Sequence, residues 1–224
     1  MRLTAALMAL LFAAPVGADV TRICPDPMFT VTAETDALVD QTCQSAVRAV
    51  DSLRSCQIEL PEPVEIHVVD AINGTMGPCL GMYHCGEQQI EVLSPEALLT
   101  ARDPDGAFAG ISNPALWDSI LVHELTHAAY EPVSCPFTSC IATSEYASYV
   151  MQVRSMPPEE QAKFGEQIVL KSKTSAMSVS AMIYYMAPDV FAKRAWQHFN
   201  ARPEPCEYLS LIMDGKIFFD MEAP

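Results

Sequence analysis

Positive charge is scarce in this chain: 13 Lys and Arg stand against 28 Asp and Glu, a formal net charge of −15 over 224 residues. A surface of that sign repels phosphate backbones and anionic membranes, so nucleic acid is not an expected partner. Long apolar runs are missing too. After the first few residues no stretch approaches the 18 apolar residues of a membrane span, so the mature chain is expected to cross no membrane. No C-x-x-C pair occurs, which speaks against a Cys-rich zinc site. Internal repeats, low-complexity tracts and linkers are likewise lacking, leaving a single domain as the expected organisation.

What is present begins with a leader. Arg2 supplies a short positive region, Leu3 to Ala14 an apolar one, and Val16-Gly17-Ala18 small residues at a cleavage site. Residues 1–18 therefore read as a secretory signal peptide, and 19–224 as the mature domain, periplasmic or secreted. Cleavage removes Arg2, leaving 12 basic against 28 acidic residues, a net charge of −16. All eight cysteines lie in the mature part, an even number that in an exported chain reads as disulfides. Cys135 with Cys140, and Cys79 with Cys85, are candidate local bridges. Cys43 and Cys56 are not expected to pair, because thirteen helical residues separate them by about 20 Å. The pairing of Cys24, Cys43, Cys56 and Cys206 is left open by the sequence, as is the oligomeric state.

Periodicity then orders the chain. Residues 28–32 and 64–69 and Gln89-Ile90-Glu91-Val92-Leu93 read as strands. Residues 33–55 carry a helical stripe of Val39, Cys43, Ala46, Val50 and Leu53. Asn73 to Gly86, rich in Gly, Pro and Cys, reads as a loop, with His84 in it. His67 reads as a partly exposed strand residue. Helices are expected over 95–100, 139–155, 158–171, 175–186 and 188–199, and a tight hairpin at Asp214-Gly215. Strands early and helices late predict an α+β domain with a small mixed sheet.

The chemistry concentrates in His123-Glu124-Leu125-Thr126-His127. Asn113 as N-cap, Pro114 in the first turn, the stripe Leu116, Ile120, His123, His127 and the stop at Pro132 place this H-E-x-x-H on a helix. Residues four apart share a helix face, so both imidazoles project to one side and can hold one zinc ion. Glu124 is then placed to take a proton from water.

A catalytic zinc site needs a third protein ligand. The metzincin pattern would put a histidine at position 133 and a glycine at 130, where this chain has Val133 and Tyr130. The chain instead resembles the gluzincins over roughly residues 64–155: His-Glu-Leu-Thr-His, then a glutamate on the following helix, within Ser144-Glu145-Tyr146-Ala147-Ser148-Tyr149. Its small size resembles minimal gluzincins that keep only the catalytic domain. The G-x-M-E-N motif of the large aminopeptidases is absent, the nearest text being Gly74-Thr75-Met76-Gly77. The resemblance implies a zincin-like fold, one Zn2+ held by His123, His127 and Glu145, and Glu124 as general base. Local context agrees on Glu145. Glu131 adjoins Pro132 where its helix ends, and Glu159 and Glu160 follow two prolines in a first helical turn.

The expected reaction is hydrolysis of a peptide or protein substrate by a zinc-activated water. Candidate oxyanion donors are Tyr146, Tyr149, Tyr184, Tyr185 and His198, and residues 89–93 are the candidate edge strand for an extended substrate. The competing reading is a catalytically inactive zinc-binding or disulfide-rich interaction module of the same fold, against which the presence of Glu124 argues.

Overall fold

The computed structural model describes residues 18–72, 79–166 and 176–220. The leader segment and the last four residues lie outside them. Five strands, β1 (Val20–Ile23), β2 (Phe29–Ala33), β3 (Val64–Val69), β4 (Gly81–His84) and β5 (Gln89–Leu93), form one sheet in the order β1-β2-β3-β5-β4. The sheet is mixed: β2, β3 and β5 run parallel, while β1 and β4 are antiparallel to their neighbours. Alternation sends Phe29, Val31, Val64, Ile66, Ile90 and Val92 to the buried face. Thr30, Thr32, Glu65, His67 and Glu91 lie on the wetter face, where His67 sits 3.7 Å from Glu65 and His84 3.1 Å from Glu91.

Helices cover the buried face. Thr35 starts α1 (Asp36–Arg54) by accepting the Leu38 N–H, and its stripe of Val39, Cys43, Ala46, Val50 and Leu53 packs on β2 and on α3 (Asn113–Tyr130). Ser94 caps α2 (Pro95–Ala101) in the same way. The later helices are α4 (Ile141–Ser155), α5 (Pro158–Glu166), α6 (Ala181–Met186), α7 (Pro188–Asn200) and α8 (Pro205–Met213), with a 3-10 turn at Ala176–Val179. This is the expected α+β order, with eight α-helices and three disulfides among the described residues. The end of the helix expected over 158–171 falls outside those residues. None of the described helices is long and apolar enough to cross a membrane.

Three local expectations are corrected. The loop at 73–86 contains β4, which places His84 on a strand. Because β4 lies outside β5, residues 89–93 are flanked by β3 and β4 and are no edge strand. The Asp214-Gly215 pair makes no hairpin. Asp214 caps α8, Gly215 takes φ +67°, and the N–H groups of Gly215 and Lys216 donate to Ile212 and Leu211, a Schellman motif.

The disulfides are Cys24–Cys43, Cys56–Cys206 and Cys135–Cys140. Cys43 and Cys56 indeed do not pair with each other. The expected Cys79–Cys85 bridge does not form. Four strand residues between them, at about 3.3 Å each, hold the two well beyond the roughly 7 Å that a disulfide tolerates. Three bridges in one domain suit an oxidising compartment.

One carboxylate ties the C-terminal segment to the helix that follows the motif. Cys140, the residue before α4, makes no side-chain cap. Asp220 does that work from the far end of the chain: it accepts the N–H of Ala142 at 2.9 Å, the N–H of Thr143 at 3.0 Å and the Thr143 hydroxyl at 2.7 Å. Its buried negative charge also complements the helix N-terminus. Asp220→Ala strands two buried N–H groups and is expected to cost about 3 kcal/mol. Urea unfolding checks this, and an unchanged midpoint would remove Asp220 from the account.

Candidate metal centre

Helices α3 and α4 run antiparallel, since His127 meets Ser144 at one end and His123 meets Gln152 at the other. This brings Glu145 over the two histidines. His123 Nε2 lies 3.1 Å from His127 Nε2 and 3.5 Å from one Glu145 carboxylate oxygen, while His127 Nε2 lies 3.6 Å from the other. Two donors about 2.0–2.1 Å from a tetrahedral zinc are about 3.3 Å apart. The three side chains thus already stand at the mutual spacing that one such ion imposes. They are the group of His, Cys, Asp and Glu residues that offers a metal site among the described residues.

The hydrogen bonds behind His123 set its tautomer. Ser119 donates its hydroxyl proton to Leu116 O at 2.7 Å, so it must accept from the Gln152 amide at 3.4 Å. That turns the Gln152 oxygen to His123 Nδ1 at 3.0 Å, and Nδ1 must donate. A neutral His123 then presents a bare Nε2 lone pair to the cluster. Ser144 takes the same position behind His127, 2.8 Å from Nδ1. A bare lone pair and a carboxylate converging on one point repel each other unless a cation or a proton lies between them.

The titration behaviour says the same. Burial disfavours charge on His123, yet the hydrogen bond it donates to Glu145 and the charges of Glu124 and Glu145 outweigh it and raise its pKa. His127 is pushed down to about 4 by burial, helped by His123 and opposed by Glu145. Burial would raise Glu145, but the two histidines and a hydrogen bond from Tyr184 hold it below its usual value. The pull of the Glu145 carboxylate on His123 is the attraction that a cation held between them would take over.

Glu124 faces the same space from the next position on α3. Burial is the main cause that raises it to about 7, with Glu145 adding and His123 opposing. It accepts the Tyr83 N–H of β4 at 2.9 Å. The approach of β4 is close enough that a Cβ on Gly81 would sit 2.7 Å from Glu124 Oε1 and 2.7 Å from Ile120, so only glycine fits there. At the C-cap of α3, Glu131 accepts from the Tyr83 hydroxyl, the Gly86 N–H and, at 2.6 Å, Gln88 Nε2. Two glutamates seven apart thus pin the outer strand to the motif helix.

Of the five candidate oxyanion donors, the fold brings two to the cluster. Tyr149 packs edge-on against His123, with ring centroids 4.7 Å apart, and Tyr184 hydrogen-bonds Glu145. Tyr146 and His198 face away: they bond each other at 3.0 Å and pack on Phe219. Tyr185 is exposed beside Tyr184. The sequence reading gives no role to Ser144, Gln152, Gly81 or Tyr83, and it considers Glu131 only as a rejected third ligand. Gln152 carried a usable signal, since it lies seven residues after Glu145 on one helix face and is a polar residue among buried ones. Gln152→Ala is expected to weaken zinc binding roughly 10- to 100-fold. Competition with a chelator measures it, and an unchanged affinity would mean that Gln152 does not orient His123.

A family model described as a family of unknown function, DUF6639, matches residues 29–222. No curated protein and no solved structure matches the chain.

Proposed function

The chain belongs to DUF6639, a family of unknown function, and on the geometry of its histidine–glutamate cluster we propose that it is an exported zinc-dependent peptidase of gluzincin type with a zincin-like fold. The observation that carries this reading is the spacing of 3.1, 3.5 and 3.6 Å among His123, His127 and Glu145, with Glu124 beside them. The donor set of two imidazoles and one carboxylate is that of a catalytic rather than a closed structural zinc site.

His123, His127 and Glu145 would hold the ion, oriented by Gln152, Ser144 and Tyr184. When bound, zinc supplies a Lewis acid for the scissile carbonyl and lowers the pKa of water from about 15.7 towards 7. Glu124 takes the water's proton and hands it to the leaving amine. Tyr184, which hydrogen-bonds Glu145, and Tyr149, which packs on His123, are the candidates to donate to the developing oxyanion. The outer strand is β4, so it replaces residues 89–93 as the edge on which an extended peptide lies by strand addition.

The test uses mature protein refolded with its disulfides. One zinc per chain, with cleavage of a mixed peptide library that stops on chelation and returns with zinc, is the expected result. One tightly held zinc without any cleavage would sink the enzyme reading and leave a binding module.

A further inference from the structure

Two of the eight cysteines stand outside the disulfides, Cys79 and Cys85, one near each end of β4. Hydrogen bonds fix how that strand lies along α3. The Tyr83 N–H reaches Glu124, while the Tyr83 hydroxyl and the Gly86 N–H reach Glu131. Glu131 comes seven residues after Glu124, about 10 Å farther along the helix axis. Cys85 belongs to the Glu131 end, where it is exposed. Cys79 belongs to the other end, two residues before Gly81, where β4 comes so close that a Cβ would lie 2.7 Å from Glu124 Oε1. There its thiol is partly buried, within the field of Glu124 from α3 and Glu145 from α4, and within reach of Tyr184 from α6. Leu80, the next residue, accepts the Leu93 N–H at 3.0 Å, which tethers the backbone at this point. One end of β4 therefore holds a sulfur beside the candidate base and a candidate ligand.

We propose that Cys79 is a fourth, exchangeable zinc ligand that closes the centre and keeps the enzyme largely latent. The proposal rests on the peptidase reading and adds regulation to it. An ion on His123, His127 and Glu145 has one tetrahedral position left, and thiolate, at about 2.3 Å, is among the preferred ligands of zinc. As it stands the sulfur lies outside the close group of three, and turning about its Cα–Cβ bond carries it by about 3 Å. Coordination releases the thiol proton to solvent, and the sulfur then fills the place that water and the scissile carbonyl need. Glu124 argues that this place also opens, because a closed structural site has no use for a base beside its ligands. Thiolate and water thus compete for one position, and an open form of roughly 1–10% leaves wild-type protein slow but active.

The experiment reads the metal's ligands apart from turnover. Mature protein with its three disulfides formed is loaded with Co2+ in place of zinc. A sulfur-to-cobalt charge-transfer band in the near ultraviolet is expected in wild type and in Cys85→Ser, and its loss in Cys79→Ser. A second measurement needs no variant: in wild-type protein Cys85 reacts at once with a disulfide reagent such as DTNB, whereas Cys79 should react roughly 10- to 100-fold faster once zinc is chelated. Cys79→Ser should raise kcat/KM for library peptides roughly 10- to 100-fold and weaken zinc binding by the same factor, because one ratio of closed to open form sets both. A cobalt spectrum without the sulfur band, thiol rates that ignore zinc, or activation without the matching loss of zinc affinity would each overturn the proposal. Failure of the peptidase reading looks different: neither wild type nor Cys79→Ser cleaves, and the cobalt band still decides whether Cys79 is a ligand.

Discussion

Glu124→Gln lowers kcat/KM for peptide cleavage by about 1,000-fold and leaves one zinc bound per chain. The amide keeps the shape of the carboxyl and still accepts the Tyr83 N–H that holds Glu124 at 2.9 Å, so the ligands are not disturbed. What is lost is a base, and general-base catalysis is typically worth 10²- to 10⁴-fold. The pH dependence has a definite sign. Burial pushes the Glu124 carboxyl up to about 7, with Glu145 adding and His123 opposing. A bound cation favours the carboxylate, so in the loaded enzyme the value falls below that. Since Glu124 must be deprotonated to act, kcat/KM should rise with pH through this value, and the acid limb should be missing from the residual activity of the glutamine variant. Steady-state rates between pH 4 and 8, with zinc counted at each pH, test both points. Wild-type turnover in the variant would remove Glu124 from the mechanism.

Glu145→Ala weakens zinc binding by about 1,000-fold. Structural zinc sites contribute roughly 10–16 kcal/mol, and one of three protein ligands accounts for about 4 kcal/mol of such a sum. Glu145 is buried and lies 3.5 and 3.6 Å from the two histidines, so no other described carboxylate can take its place without moving α4. Glu131→Ala is the matched control. Glu131 also belongs to the end of α3, but it binds the β4 side through Tyr83, Gly86 and Gln88, and its loss should leave zinc affinity alone. Affinities from chelator competition decide the matter. Equal losses in the two variants would mean a general loosening of the helix pair rather than a missing ligand.

Much of this centre could be read in advance because it rests on local rules. His123, Glu124 and His127 share a helix face through the 3.6-residue repeat alone, and a proline in the first turn with a stripe of apolar residues marks that helix. The stripe of α1 and the strands β3 and β5 are legible for the same reason. β4 is not, because four residues among glycines and cysteines carry no period of their own. It becomes a strand only when β5 offers the ladder, Glu124 accepts the Tyr83 N–H, and Glu131 accepts the Tyr83 hydroxyl and the Gly86 N–H. Asp214-Gly215 shows the same limit: a glycine with positive φ serves a hairpin or a helix end equally, and the preceding helix decides.

By itself the sequence determined the candidate ligand pair and base, the α+β class and the acidic surface. Each depends on residues a few positions apart, whose geometry is set by the backbone repeat. The tertiary structure alone decided which residues complete the centre. Gln152 and Ser144 orient the histidines, Asp220 caps the helix of Glu145 across separations of 77 and 78 residues, and β4 rather than β5 forms the edge. These contacts join segments that are distant in the chain. They form only when the apolar faces of α3, α4 and the sheet are buried together, a condition that no local pattern encodes.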